Sequence, residues 1–127
     1  MSIVTDVYDA ADRHDWQPHS HVEHMLVWPE RGSVEADVDG RSWLVPPGLG
    51  LWVPGGTTHA VRAKASVRFN CSYFDSEAAI AVSGGVTLMS VSPAAMALMS
   101  HVTTQQMEAD ARALGLCFRR GCWSTCA

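Results

Sequence analysis

Three histidines have a spacing that would let them share one metal ion. His19 and His21 are two positions apart, and side chains two apart on a β-strand point to the same face. His59 follows a Pro-Gly-Gly turn and begins a segment in which Val61 and Ala63 share its face. Neutral imidazoles are good ligands for a divalent metal at about 2.0–2.1 Å. A His-x-His pair is a weak signal alone, so the prediction depends on the fold that brings His59 to it.

Two further residues near this pattern are candidates for the same site. His24 lies three residues after His21, so regular alternation places it on the opposite face, and a bulge would be needed to turn it inward. Met25 follows it, and its thioether is a soft, weak metal ligand. We expect His14 and His101 to lie on the surface.

The first part of the chain predicts an all-β fold. Short apolar runs are separated by Gly and Pro at close spacing, which is typical of a sandwich or a small barrel. In one of them Val34, Ala36 and Val38 alternate with polar residues and should face the core. Asp39-Gly40 is a two-residue hairpin signal, since a type I′ turn needs positive φ at both positions. The predicted strands are 25–28, 33–38, 42–45, 49–53, 59–63, 67–74 and 86–91.

The second part of the chain has a different residue pattern, which predicts helix. Ser92 and Pro93 form a favourable helix start, with Ser as the N-cap and Pro in the first turn. Met96, Met99 and Met107 recur at helical spacing, which is typical of a buried stripe. We therefore divide the chain into a β-barrel over 1–91, a helical segment of one or two helices over 92–116, and an atypical tail over 117–127.

A second motif gives the histidines a context. Gly48 to His59, read as GLGLWVPGGTTH, fits the pattern G-x5-P-x-G-x2-H at every fixed position. Together with PHSHVEHMLVWPERG, which begins at Pro18, it resembles the paired motifs of the cupin superfamily, whose fold is a double-stranded β-helix or jelly-roll barrel. The amino-acid sequences of both segments are most similar to the N-terminal sensory domain of AraC-type transcriptional regulators. The resemblance covers residues 15 to 75 well and the rest loosely.

The resemblance implies roles for the histidines but also shows two departures. His19, His21 and His59 match the family's metal-binding histidines. Cupin enzymes usually carry Glu or Gln four or five residues after the second histidine, where this chain has Met25 and Leu26. The second motif often closes with Asn, where this chain has Ala63. A three-histidine site with an open position, most suited to zinc, and a metal-free site whose histidines donate hydrogen bonds to a small ligand both remain open.

Composition sets limits on partners and location. The chain has 127 residues, which suits one domain, and it carries 9 Lys plus Arg against 13 Asp plus Glu, for a formal net charge of -4. A basic face is usual in nucleic-acid binders, so we do not expect this chain alone to contact DNA or RNA. No run of residues reaches membrane-span length, and no signal pattern is present at the start. We expect a cytoplasmic protein.

Tryptophans in the predicted strands and cysteines in the tail form two further groups of residues. Trp28, Trp43 and Trp52 fall out of phase with the inward residues of their predicted strands, and we expect them to cover the outside of the barrel, under the helix or a partner subunit. The cysteines of the tail, with the spacing C-x4-C-x3-C from Cys117, match no recognised zinc pattern. The tail is interpreted as an altered or truncated end of a longer regulator.

The leading functional hypothesis is an effector- or metal-sensing cupin domain of AraC type. It would bind a small molecule, pair with a second copy through its helical segment, and lack a helix-turn-helix unit. A small stand-alone metal-dependent cupin enzyme is the alternative. General acid–base catalysis needs a side chain positioned to transfer a proton, and the only candidates for that role are His24 and Glu23. A binding barrel without catalysis or regulation is a third possibility. The missing carboxylate favours sensing over catalysis.

Overall fold

The structure is a computed structural model that describes residues 3–76, 85–101, 116–119 and 122–125. It is built almost wholly from antiparallel strands, in keeping with the alternating pattern of the sequence. The strands are β1 (Ile3–Ala10), β2 (His14–His19), β3 (His24–Arg31), β4 (Val34–Val38), β5 (Arg41–Val45), β6 (Leu49–Val53), β7 (His59–Ala63), β8 (Val67–Phe74), β9 (Thr87–Ser90), β10 (Leu116–Arg119) and β11 (Cys122–Thr125). One helix, α1, is described over 93–101.

Two sheets enclose the main core. The five-stranded sheet has the order β1-β8-β3-β6-β9, and the four-stranded sheet has the order β2-β7-β4-β5. One buried cluster takes side chains from both sheets, so their facing sides form a single apolar interior. Its fully buried members are Met25, Val27, Val34, Ala36, Val38, Val45, Leu51, Val53, Val61, Ala63, Val67, Phe69 and Cys71. The all-β prediction is confirmed.

The local predictions for β4 and its turn are also confirmed. Val34, Ala36 and Val38 are buried while the residues between them are only partly so. Asp39 and Gly40 have φ values of 49° and 75°, which is the left-handed pair that a type I′ hairpin requires. Because β4 pairs with both β5 and β7, this hairpin places His59 opposite Val38, at one end of the four-stranded sheet.

A second apolar cluster lies on the opposite side of the five-stranded sheet. It consists of Leu26, Trp28, Trp52, Val91 and Met99, so α1 packs against the two tryptophans. The helix begins as the sequence predicts, because the Ala95 amide donates to Ser92 Oγ at 3.1 Å, which caps the first turn. The predicted outward position of Trp28 and Trp52 under the helix is therefore confirmed.

For Trp43 the same prediction is wrong. Trp43 is paired with the inward-facing Ala36, and residues directly opposite on antiparallel strands share a face. Trp43 therefore packs against the main core, while its neighbour Leu44 is 62% exposed. The predicted phase of β5 is one residue out of register, and such an error moves every side chain of a strand to the opposite face.

Parts of the predicted division of the chain lie outside the described residues. The helical segment 92–116 is described only as α1, and Met107 lies beyond it. The predicted strand 86–91 is observed as β9. In the tail, β10 and β11 pair as an antiparallel hairpin in which Cys117 lies opposite Ser124. Within the ranges given above, no helix is long and apolar enough to cross a membrane.

Candidate functional site

The three predicted histidines meet at one end of the four-stranded sheet. His19 is the last residue of β2 and His59 is the first of β7, and the two are register partners. One ring nitrogen from each of His19, His21 and His59 lies within 4.8 Å of the other two. The ring centroids are 4.4 Å apart for His19 and His59, 4.9 Å for His21 and His59, and 5.7 Å for His19 and His21.

The route by which His21 reaches this cluster differs from the predicted one. Strand β2 ends at His19, so His21 lies in the loop between β2 and β3 rather than two residues along one strand. The register between β2 and β7 is irregular from Trp16 to His19, which marks a bulge. The grouping of the two histidines is therefore produced by the loop, and the alternation argument gave the right neighbours for the wrong reason.

Backbone hydrogen bonds fix the orientation of all three imidazoles. The Nδ1 atoms of His19, His21 and His59 lie 3.0, 2.9 and 2.9 Å from the carbonyl oxygens of Gln17, Glu23 and Thr57. A carbonyl can only accept, so each Nδ1 must carry the proton. In the neutral ring the lone pair is then on Nε2, which is the arrangement that metal-binding histidines commonly show.

Two of these Nε2 atoms are buried and have no hydrogen-bond partner, namely those of His21 and His59. A buried polar atom without a partner costs free energy, on the order of 1–3 kcal/mol. The His19 residue, by contrast, is exposed. Two of the three histidines therefore have a buried acceptor atom that lacks a donor or a cation.

Burial keeps His59 neutral. Desolvation lowers the pKa of the His59 imidazole below its usual value, and the neighbouring His19 and His21 lower it further, while the hydrogen bond to Thr57 opposes them. Metal ligation requires the unprotonated imidazole. The environment of His59 thus favours the protonation state that a ligand needs.

A small cavity of about 40 Å³ adjoins the cluster on the core side. Aromatic rings form its wall: Tyr8 stacks on Phe69 with centroids 5.2 Å apart, and Trp16 meets Phe69 edge-on at 4.9 Å. A cavity needs roughly 10–15 Å³ to hold one water molecule, so this cavity has room for a few atoms. The lining residues are Tyr8, Trp16, His19, Met25, His59, Val61, Phe69, Cys71 and Tyr73.

The Cys71 thiol and the Tyr73 hydroxyl of this wall are neutral at physiological pH. Burial raises the pKa of the Cys71 thiol to about 12, and it raises the pKa of the Tyr73 hydroxyl as well. The Tyr73 hydroxyl lies 3.4 Å from that of Tyr8, and its ring contacts the His21 ring edge-on with centroids 5.3 Å apart. Tyr73 therefore links the histidine cluster to the aromatic wall.

Sequence reasoning missed this wall. Phe69, Cys71 and Tyr73 alternate along β8, and Tyr8 lies opposite Phe69 on β1. The alternation in β8 was visible as a period-two signal, but β1 was not predicted as a strand. Without β1, nothing in the sequence indicated that Tyr8 belongs beside the histidines.

A second, open hollow lies on the outer side of His21, with a volume of about 420 Å³. Tyr73 and Phe74 contribute its apolar surface, and Glu23 contributes a carboxylate whose Oε2 is 3.6 Å from His21 Nδ1. His21 and Tyr73, whose rings are in edge-on contact, therefore border this hollow as well as the histidine cluster.

The remaining candidates take other positions. Met25 is 2% exposed and lines the inner cavity together with His19 and His59. His24 lies outside the cluster: its ring stacks on Trp52 with centroids 5.4 Å apart. His14 and His101 are exposed, as expected.

Two facing antiparallel sheets with a histidine cluster at one end define a cupin-type barrel. A cupin superfamily protein from Desulfitobacterium hafniense superimposes with a TM-score of 0.55 at 16% identity, over 58% of this chain and 68% of that one. ToxT of Vibrio cholerae, in a structure with an unsaturated fatty acid bound, superimposes with a TM-score of 0.59 at 8% identity, over 86% of this chain and 49% of that one. At these identities the likeness concerns the fold.

The family follows from the sequence match. Residues 4–119 match the model of the AraC-like ligand binding domain, and the chain belongs to that family. It is similar to the HTH-type transcriptional regulator NimR of Escherichia coli K12, with 27% identity over 100 residues. That match takes in 76% of this chain and 36% of NimR, so the chain spans about a third of its relative's length.

Proposed function

We propose that this chain is an effector-sensing domain in which His19, His21 and His59 hold a divalent metal beside the aromatic cavity. The observation that carries the proposal is the pair of buried, unpartnered Nε2 atoms of His21 and His59. One ring nitrogen of each of the three histidines lies within 4.8 Å of the other two, so a cation between them is within reach of all three. A cation bound there would satisfy all three lone pairs at once.

The donor set fits zinc. Zinc sites that bind a further molecule commonly have three protein ligands and an open fourth position. Three nitrogens bound tetrahedrally to one zinc lie about 3.4 Å apart, and the three here are already within 4.8 Å. When bound, the metal would supply a Lewis-acidic position for a polar atom of the effector, beside the cavity lined by Met25 and Tyr73.

The same hydrogen bonds disfavour a metal-free site in which the histidines donate to the effector. Each Nδ1 proton is already committed to a backbone carbonyl, of Gln17, Glu23 or Thr57. A neutral imidazole has one proton, so the inward Nε2 atoms can only accept. Three acceptor atoms at one site attract a cation. Without a bound cation they repel a carboxylate.

The cavity indicates what kind of effector would suit it. Its wall is aromatic and uncharged, so it favours a compact apolar or flat group, with the polar end of the molecule at the metal. ToxT, which shares this fold, has been solved with an unsaturated fatty acid bound, and this supports the idea of a small-molecule effector. The effector we propose is accordingly a small molecule with one metal-binding end.

The likeness to NimR bears on the role of the domain. That likeness to an HTH-type transcriptional regulator supports a role as the sensing domain of such a regulator. We further propose that the protein acts in the cytoplasm as a homodimer. Leu98 on α1 is 60% exposed, which leaves an apolar side chain of the helix for contact with a second copy. The enzyme alternative has less support, since the described lining of the cavity contains no carboxylate and Met25 occupies the place of one.

Metal analysis tests the proposal. Protein purified without chelator should contain about one zinc per chain, and the His21→Ala and His59→Ala variants should contain less than about a tenth of that. The control is His101→Ala, which removes an exposed histidine far along the sequence from the cluster and should retain the metal. Zinc-free wild type after incubation with zinc, or equal zinc in all variants, contradicts the proposal.

A further inference from the structure

The loop that carries His21 is pressed against the turn that leads to His59. The Gly56 amide donates to the His21 carbonyl oxygen at 2.8 Å. A Cβ atom at Gly55 would lie 2.0 Å from the Val22 carbonyl oxygen, so the two backbones approach as closely as only glycine permits. The separation of His21 and His59 therefore depends on how this loop and this turn are held together.

His24 is a third link between the two segments. Its Nδ1 accepts a hydrogen bond from the Gly55 amide at 2.9 Å, and its Nε2 lies 3.2 Å from the Ser76 carbonyl oxygen. An amide requires a lone pair on Nδ1 and a carbonyl requires a proton on Nε2, so this ring has the tautomer opposite to that of the cluster. Its stacking on Trp52 fixes the plane of the ring.

The neighbouring turn residue transmits this restraint to the ligand. Thr57 follows Gly55 and Gly56, and its carbonyl oxygen accepts the His59 Nδ1 proton at 2.9 Å. The Thr57 amide in turn donates to the Pro54 carbonyl oxygen at 3.3 Å, which closes the turn. A shift of the turn away from His24 would thus move the group that orients His59.

We propose that His24 is a positioning residue for the metal site: by binding the Gly55 amide it holds the turn against the His21 loop, so that His21 and His59 reach one ion. This rests on the proposed function of the histidine cluster. His24 is not a ligand, since both its nitrogens are used by the backbone. Residues that orient metal ligands typically change metal affinity by about 10–100-fold when they are removed.

Two amide variants separate the two hydrogen bonds of His24. In His24→Asn the side-chain oxygen can take the place of Nδ1 and accept from Gly55, whereas in His24→Gln the amide reaches toward Ser76 and leaves Gly55 without its acceptor. Zinc affinity is measured on the full chain by competition with a chromophoric chelator. We expect affinity within about threefold of wild type for His24→Asn, and a loss of about 10–100-fold for His24→Gln and His24→Ala.

A matched control distinguishes positioning from general destabilisation. Val91→Ala removes part of the same outer cluster that contains Trp52, and Val91 belongs to neither the loop nor the turn. Its midpoint of thermal unfolding should fall while its zinc affinity stays at the wild-type value. Equal affinity in all His24 variants, equal loss in the Asn and Gln variants, or a loss in Val91→Ala that matches theirs overturns the proposal.

A second readout works without metal. Hydrogen exchange at the Gly55 and Gly56 amides, followed by NMR in chelator, should be faster in His24→Gln than in wild type and unchanged in His24→Asn. If wild-type protein binds no zinc, the proposed function fails, and this exchange still decides whether His24 holds the turn. Unchanged exchange in His24→Gln would show that it does not.

Discussion

The backbone amide of Gly56 donates a 2.8 Å hydrogen bond to the carbonyl oxygen of His21. Through this bond the loop after β2 and the turn before β7 form one unit, although the two residues are 35 positions apart along the chain. The histidines on either side of this contact are the two whose Nε2 atoms are buried without partners. The stability of the contact and the geometry of the cluster should therefore change together.

Gly55→Ala tests that connection. Its new Cβ would lie 2.0 Å from the Val22 carbonyl oxygen, so the loop and the turn must separate. We expect a loss of about 1–3 kcal/mol in the free energy of unfolding, as for other overpacked sites, together with weaker zinc binding. Urea unfolding and chelator competition measure the two effects.

Gly50→Ala is the control for that variant. There the new Cβ would meet side-chain atoms of Val91 and Leu26 in the outer cluster, at 2.7 and 2.9 Å. It should lower stability while leaving zinc affinity as in wild type. If Gly50→Ala weakens zinc binding as much as Gly55→Ala does, the contact between loop and turn has no special role.

Met25→Glu would place a carboxylate beside the cluster, where cupin enzymes usually carry one. In metal-free protein the buried acid should lower the unfolding temperature, because an unpaired carboxylate is costly away from water. Added Zn²⁺ or Mn²⁺ should then raise the unfolding temperature more in Met25→Glu than in wild type, since binding stabilises the folded state. Met25→Leu conserves volume and serves as the control. An equal metal-induced shift in all three proteins would show that position 25 does not face the ion.

Acid stability should depend on the charged pair of the four-stranded sheet. Hydrogen bonds from Arg62, and then from Ser42, hold the pKa of the Asp37 carboxyl below its usual value. A carboxyl with a lowered pKa in the folded state contributes stability above its unfolded pKa, about 3.9, and that contribution is lost as the pH falls through the folded pKa.

Arg62→Gln should accordingly destabilise the protein at pH 6 and have a smaller effect at pH 3. Urea unfolding at both values measures the difference, and 1 M salt should reduce it because the pair is partly exposed. The Lys64→Gln variant, which loses only an exposed partner of Glu35, is expected to show a weaker pH dependence. A difference between wild type and Arg62→Gln that is the same at both pH values contradicts this assignment.

The sequence predicted the local β structure where turn chemistry and alternation agree. Asp39-Gly40 marked its hairpin because few residue pairs adopt two positive φ values, and the register of β4 follows from that turn. The inward and outward sides of β5 could not be derived from the sequence in the same way. A four- or five-residue strand has too few alternations to fix its phase, and Trp43 was therefore placed on the wrong face.

The candidate site was predictable in its histidines but not in its surroundings. His19, His21 and His59 come together whether His21 lies on a strand or in a loop. The predicted grouping is therefore correct even though His21 lies in a loop and not on a strand. The aromatic wall could not be predicted, because it brings together Tyr8 and Tyr73, which are 65 positions apart along the chain. The role of His24 depends on contacts with Gly55 and Ser76, and no local pattern encodes them.

X-ray absorption at the zinc edge, on protein loaded with one equivalent of zinc, tests the central claim most directly. Three imidazole nitrogens from His19, His21 and His59 predict nitrogen or oxygen scattering alone, at about 2.0–2.1 Å, with the imidazole signature reduced in His59→Ala. The tail offers a competing ligand set in Cys117, Cys122 and Cys126. Sulfur scattering at about 2.3 Å, or a zinc signal unchanged by His59→Ala, would contradict a metal centre formed by the histidine cluster.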